Sequence, residues 1–180
     1  MGFLDSLGWG RGTTGSAGGD TDAVRKIAAE LEALEPARAR YVAAFGYLLS
    51  RVANADRDIS EVESREMERI VQSEAGLPEA QAVLVVHMAK SQNVLFGGID
   101  NFLVTREFNT IATREQKLGL LHCLFAVSVA DDSISTLEDG TIRQIASELL
   151  LDHADFIAVK STYRDRLAAL RKPEKPPPSD

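Results

Sequence analysis

Five carboxylates, Asp56, Asp58, Glu63, Asp131 and Glu138, have the types and spacing that could do chemistry, because they fall in two copies of one pattern. Ala55-Asp56-Arg57-Asp58-Ile59-Ser60-Glu61-Val62-Glu63 returns 75 positions later as Ala130-Asp131-Asp132-Ser133-Ile134-Ser135-Thr136-Leu137-Glu138. Several oxygens gathered in a small volume suit a hard cation such as calcium or magnesium, and carboxylates crowded together without one repel each other. The set Asp56, Asp58 and Glu63 in one copy, with Asp131, Asp132 or Ser133, and Glu138 in the other, could supply them. A structural account competes. Ser60 and Ser135 have the spacing of helix caps whose Glu63 and Glu138 complete capping boxes, Ile59 and Ile134 act as staples, and Asp56 or Asp131 can bond to turn amides.

A standard calcium-binding helix-loop-helix is excluded. Position six is Glu61 or Thr136 where glycine must permit the bend, and position twelve is Met67 or Ile142 where a bidentate glutamate should sit. Other chemistry is poorly provided for. Cys123, the only cysteine, sits in the apolar run from Leu120 to Val127 and reads as a buried thiol acting as a small hydrophobe. His87, His122 and His153 are scattered, and the neighbours His122 and Cys123 point about 100° apart on a helix, so zinc is not expected. Nucleotide-binding glycine loops and a serine nucleophile elbow are absent. The expectation is a protein that is not an enzyme and carries no organic cofactor.

The elements that would position the acidic turns are all helical, since apolar residues recur every three or four positions and alternating β-branched segments are missing. Helices are expected from Thr21 to Glu35 with Asp20 as cap, from Pro36 to about Ala55, from Glu61 to Glu74, and from Pro78 to about Phe96. The second half repeats the scheme from roughly Asp100 to Thr110, from a Thr113/Gln116 capping box through Val129, from Thr136 to Leu150, and from His153 to Leu170. This predicts an all-α, compact single-domain bundle of seven or eight helices with an internal pseudo-two-fold duplication. The helical domain is placed at residues 21–171, after a flexible, Gly-rich N-terminal segment at 1–20 whose Phe3, Leu4, Leu7 and Trp9 could make a small apolar contact. A Pro-rich tail follows at 172–180.

The two acidic strings resemble the paired A-D-G-x-I-S-x-x-E signatures of the tellurite resistance TerB family, whose domain also occurs in a membrane-anchored DnaJ-like protein. The resemblance covers residues 24–168, with Arg57 and Asp132 standing where the family usually has glycine. It implies a TerB-like helical fold, a non-catalytic role in tellurite or general chemical stress, and partner proteins of the same, membrane-linked system. The metal ligands it implies are Asp56, Asp58, Glu63, Asp131 and Glu138. The alternative is a metal-free interaction module docking on a membrane-linked partner through its acidic surface.

With 20 basic against 27 acidic side chains the formal charge is −7, which opposes binding to nucleic acid and to anionic lipid. No stretch reaches the length of a membrane span, and without a basic region followed by an apolar stretch near Met1 an export signal is not expected. A cytoplasmic location, peripheral to the inner face of the membrane, is expected.

Overall fold

The computed structural model describes residues 18–53, 61–91, 101–129 and 136–170. Eight helices occupy them: α1 (Gly18–Glu32), α2 (Pro36–Ala53), α3 (Glu61–Ala75), α4 (Glu79–Lys90), α5 (Asn101–Ile111), α6 (Arg114–Val129), α7 (Thr136–Glu148) and α8 (His153–Leu170). There is no strand among the described residues. The expected all-α bundle with two like halves is what forms, α1 to α4 matching α5 to α8 in order. The third helix of the first half begins at Glu61 and that of the second at Thr136, the spacing of the sequence repeat.

The buried positions follow the helical period. Val42, Phe45, Leu48, Leu49 and Val52 of α2 and Leu120, Leu121, Leu124 and Phe125 of α6 lie at the centre, each almost wholly withdrawn from solvent. Each such side chain contributes about 1.5–3 kcal/mol on leaving water. Aromatic rings fasten the outer helices to this pair. Tyr41 stacks on Phe108 of α5 at 5.4 Å between centroids, and Phe125 meets Phe156 and Tyr163 of α8 at 5.5 and 5.9 Å. Gly46 lets α2 approach α4, since a Cβ there would lie 3.1 Å from Met88 Cβ. Met67 and Val71 of α3, and Ile142 and Ala146 of α7, are buried at matching positions of the two halves.

Helix ends depart from expectation in instructive ways. α1 starts at Gly18, so Asp20 lies inside it and is not its cap, and residues 18–20 belong to the helical body. It stops at Glu32 rather than Glu35 because Glu35 turns to the next helix, its Oε2 accepting the N–H groups of Ala37 and Arg38 at 3.1 Å each. Pro78 is the N-cap of α4 rather than part of its first turn. The Thr113 capping box forms as expected: Thr113 N donates to Gln116 Oε1 at 2.8 Å and Gln116 N to Thr113 Oγ1 at 3.3 Å.

α7 ends before Leu150, which adopts a left-handed φ of 59°. Leu151 N donates to Ala146 O and Leu150 N to Ser147 O, both at 3.0 Å, the paired bonds of a Schellman motif with leucine where glycine is usual. The corresponding end of α3 has glycine, Gly76, at φ 62°. α4 ends at Lys90 with Ser91 as its C-cap, short of the expected Phe96. The expectations for the N-terminal segment up to residue 17 and for the tail at 172–180 fall on residues outside those described.

Candidate functional site

Three of the five candidate carboxylates, Asp56, Asp58 and Asp131, lie outside the described residues, as do Asp132, Ser133, the caps Ser60 and Ser135, and the staples Ile59 and Ile134. Glu63 and Glu138 are described. Glu63 is exposed in the first turn of α3, and Glu138 is half-buried in the first turn of α7. Acidic groups gain there from the unpaired amides and positive dipole end of a helix start, which Glu61 and Asp139 share.

The packing of α3 on α6 sets the start of α3 beside the end of α6. Cys123 Sγ points to Ile70 O at 3.9 Å, while Gly119, four residues earlier on α6, abuts Glu74 O and Ala75, four to five residues later on α3. The helices therefore run in opposite directions, and the start of α3 faces the end of α6, from which the chain leads through residues 130–135 into α7. Glu63 thus stands at the end of the bundle where α6 finishes.

Two lysines unforeseen in the sequence temper these acidic helix starts. Lys90 of α4 donates to Ser64 Oγ at 2.9 Å and Glu61 Oε1 at 3.3 Å. In the other half Lys160 of α8 donates to Asp139 Oδ1 at 2.5 Å. Ser64 and Asp139 are equivalent positions of the repeat, so each half brings a lysine of its fourth helix to the same point of its third. The lysines do not hold equivalent places in their own helices, and the pairing was therefore invisible to the sequence offset.

A second polar cluster joins three helices. Arg51 of α2 grips Glu148 of α7 through both ends of its guanidinium, at 2.7 and 3.3 Å. Thr105 Oγ1 donates to the same carboxylate at 2.9 Å and Gln144 Nε2 at 2.8 Å, while Asn109 Nδ2 donates to Glu148 O at 2.5 Å. Burial works to raise the Glu148 pKa, but the hydrogen bonds from Arg51 and Thr105, the Arg51 charge and the Gln144 bond outweigh it and hold the carboxyl below the usual carboxylate range. This cluster is a clamp between α2, α5 and α7, in which Asn109 Oδ1 is buried without a hydrogen-bond partner among the described residues.

Among the described residues, no group of three or more His, Cys, Asp or Glu could hold a metal ion. Glu63 and Glu138 do not, with described neighbours alone, make a coordination sphere. Cys123 is a buried thiol, as its apolar run implied; burial chiefly, and the Glu74 charge next, push its pKa up, which keeps it protonated and unreactive. His122 Nδ1 lies 3.3 Å from Tyr163 Oη and 3.8 Å from Glu74 Oε2. His153 rests against the Phe156 ring. Among the described residues, no helix is long and apolar enough to cross a membrane.

The described residues form a helix-only domain of two four-helix halves, with an acidic sequence between the second and third helix of each; this is a duplicated helical module. Within that class the chain belongs to the TerB family: it matches the family described as tellurite resistance protein TerB over residues 40–161. The match begins within α2 and ends within α8, a narrower span than the resemblance at 24–168, and it leaves α1 outside. No curated protein and no solved structure matches the chain.

Proposed function

We propose that this protein is a non-enzymatic stress-response module of the tellurite-resistance kind, acting with membrane-linked partner proteins on the inner face of the membrane. Its paired turns take a divalent cation, calcium or magnesium in preference to zinc, through Asp56, Asp58, Glu63, Asp131 and Glu138. The observation that carries the reading is the family match over residues 40–161, which includes both acidic strings. The opposed packing of α3 and α6, which sets the start of one beside the end of the other, agrees with it. Oxygen-only donors favour the harder ions. Calorimetric titration of chelator-stripped protein with calcium, magnesium, manganese and zinc tests the cation. Saturable binding that disappears in D56N/D131N is expected, and a flat titration of the wild-type chain would remove the metal from the proposal.

A second reading, a metal-free module docking on its partner through an acidic surface, is favoured by the two lysines. Lys90 and Lys160 already supply cationic partners to Glu61 and Asp139 beside the turns, so part of the local charge is balanced without a metal. Affinity capture from extracts of tellurite-treated cells, with survival of a deletion strain, tests the stress role. No specific partner and unchanged survival would end it.

A further inference from the structure

The first helix of each half is fastened in a different way. α5 is riveted: Phe108 stacks on Tyr41, Thr105 and Asn109 reach Glu148, and Glu107 pairs with Arg40 of α2 at 3.5 Å. α1 has only a stripe. Among its described side chains, Asp22 to Glu32, Ile27 and Leu31 are the buried ones, Val24 is half-buried before them, and Leu34 continues the line just past the helix end. That spacing puts a single face of the helix against its support. The charged side chains of α1 turn to each other, Arg25 to Asp22 at 3.5 Å and Lys26 to Glu30 at 4.0 Å. Among the described residues, no side-chain hydrogen bond or ion pair ties α1 to another helix.

The place that α1 occupies is not prescribed by the repeat. α1 packs on α2 and α4, whereas α5 leans on α2 of the other half and on α7. Ile27, buried in α1, corresponds by the repeat spacing to Phe102, which is 62% exposed in α5. The family match likewise starts at residue 40, inside α2, and leaves α1 outside. The start of α2 is finished without α1, because Glu35 caps it. Ile27 and Leu31 nevertheless join the apolar cluster to which the buried residues of α2 and α4 belong. Withdrawing α1 would open an apolar trough between those two helices, and an aliphatic helix face is what fits it. A helix held by few buried contacts belongs to the part of a fold that opens first.

We propose that α1 is a displaceable cover and that the groove between α2 and α4 beneath it is a docking site for a partner helix with aliphatic residues in the spacing of Val24, Ile27, Leu31 and Leu34. The site draws on none of the five candidate carboxylates, so its failure leaves the readings above untouched. Native-state hydrogen exchange of the full chain is the first test. The amides from Ala28 to Glu32 are expected to exchange at least about tenfold faster than those of α2 and α6, through an opening that leaves the rest folded. A labelled peptide of residues 18–35 is the second test. Saturable binding to full-length I27S/L31S is expected, with wild type about tenfold weaker or more, because a groove open in a minor fraction of molecules lowers the apparent affinity by that fraction. The same peptide with serine at both positions is expected to bind neither. I27A/L31A provides a milder pair should serine disturb the fold, and circular dichroism checks both. Four results would each overturn the proposal: α1 amides as protected as those of α2, loss of protection throughout α2 and α6 in both variants, a folded variant that does not bind the peptide, or equal binding of the serine peptide.

Discussion

The third helix of each half ends in a carboxylate directed at the second helix of the other half, and the two ends are finished differently. Glu74 at the end of α3 stands near His122 of α6, and the helices touch through Gly119 and the Cys123 thiol. Glu148 at the end of α7 is held by Arg51 of α2, with Thr105 and Gln144 filling its remaining lone pairs. A helix C-terminus is a poor place for negative charge. One junction solves this with a charged clamp whose arginine side chain is only 8% exposed; the other stays half-open and relies on close backbone approach. The lesson is that a repeat constrains where helices meet without prescribing what they meet with.

The contrast is broken most severely at the clamp. Arg51→Ala takes from Glu148 the one cation it has among the described residues, in a largely closed site, and is expected to cost about 2–4 kcal/mol in urea unfolding. The acid dependence has a definite sign. Because the folded Glu148 carboxyl sits below its unfolded value, the clamp contributes fully above the ordinary carboxylate range, and its contribution fades as pH falls through the folded value. The stability gap between wild type and Arg51→Ala should therefore narrow on acidification; a gap independent of pH would show that the clamp is not electrostatic.

At the opposite junction, Gly119→Ala gains about 1 kcal/mol of helix propensity but sets a Cβ 3.1 Å from Glu74 O and 3.3 Å from Ala75 Cα. Backbone yields less readily than a side-chain tip, so a net loss of about 1–2 kcal/mol is expected. Unchanged or raised stability would mean that α3 can retreat.

The smallest effect has the opposite sign. Leu150, 80% exposed, closes α7 in the left-handed conformation that Gly76 takes after α3. Leu150→Gly should stabilise the protein by about 1 kcal/mol, raising the thermal midpoint; a fall would show that the leucine side chain earns its place by a contact.

The helical scheme was legible because burial imposes a period: Val42, Phe45, Leu49 and Leu124 had to face inward whatever their partners. The Thr113 box was legible for a similar reason, since both of its members lie within one turn. Glu35 escaped notice as a cap because its carboxylate works forward across a helix boundary. Lys90, Lys160 and the Arg51 cluster were illegible because their partners lie on other helices, at separations set only by tertiary packing. Of the five candidate ligands, the helix starts that carry Glu63 and Glu138 were placed correctly, and Asp56, Asp58 and Asp131 fall on turns outside the described residues.

Because α3 packs on α6 and α7 on α2, each half completes the other's interior. Cut apart, either would present an uncovered wall of leucines and phenylalanines to water. The chain has every reason to assemble in one concerted step, and a cavity opened in the core of one half removes packing from the other.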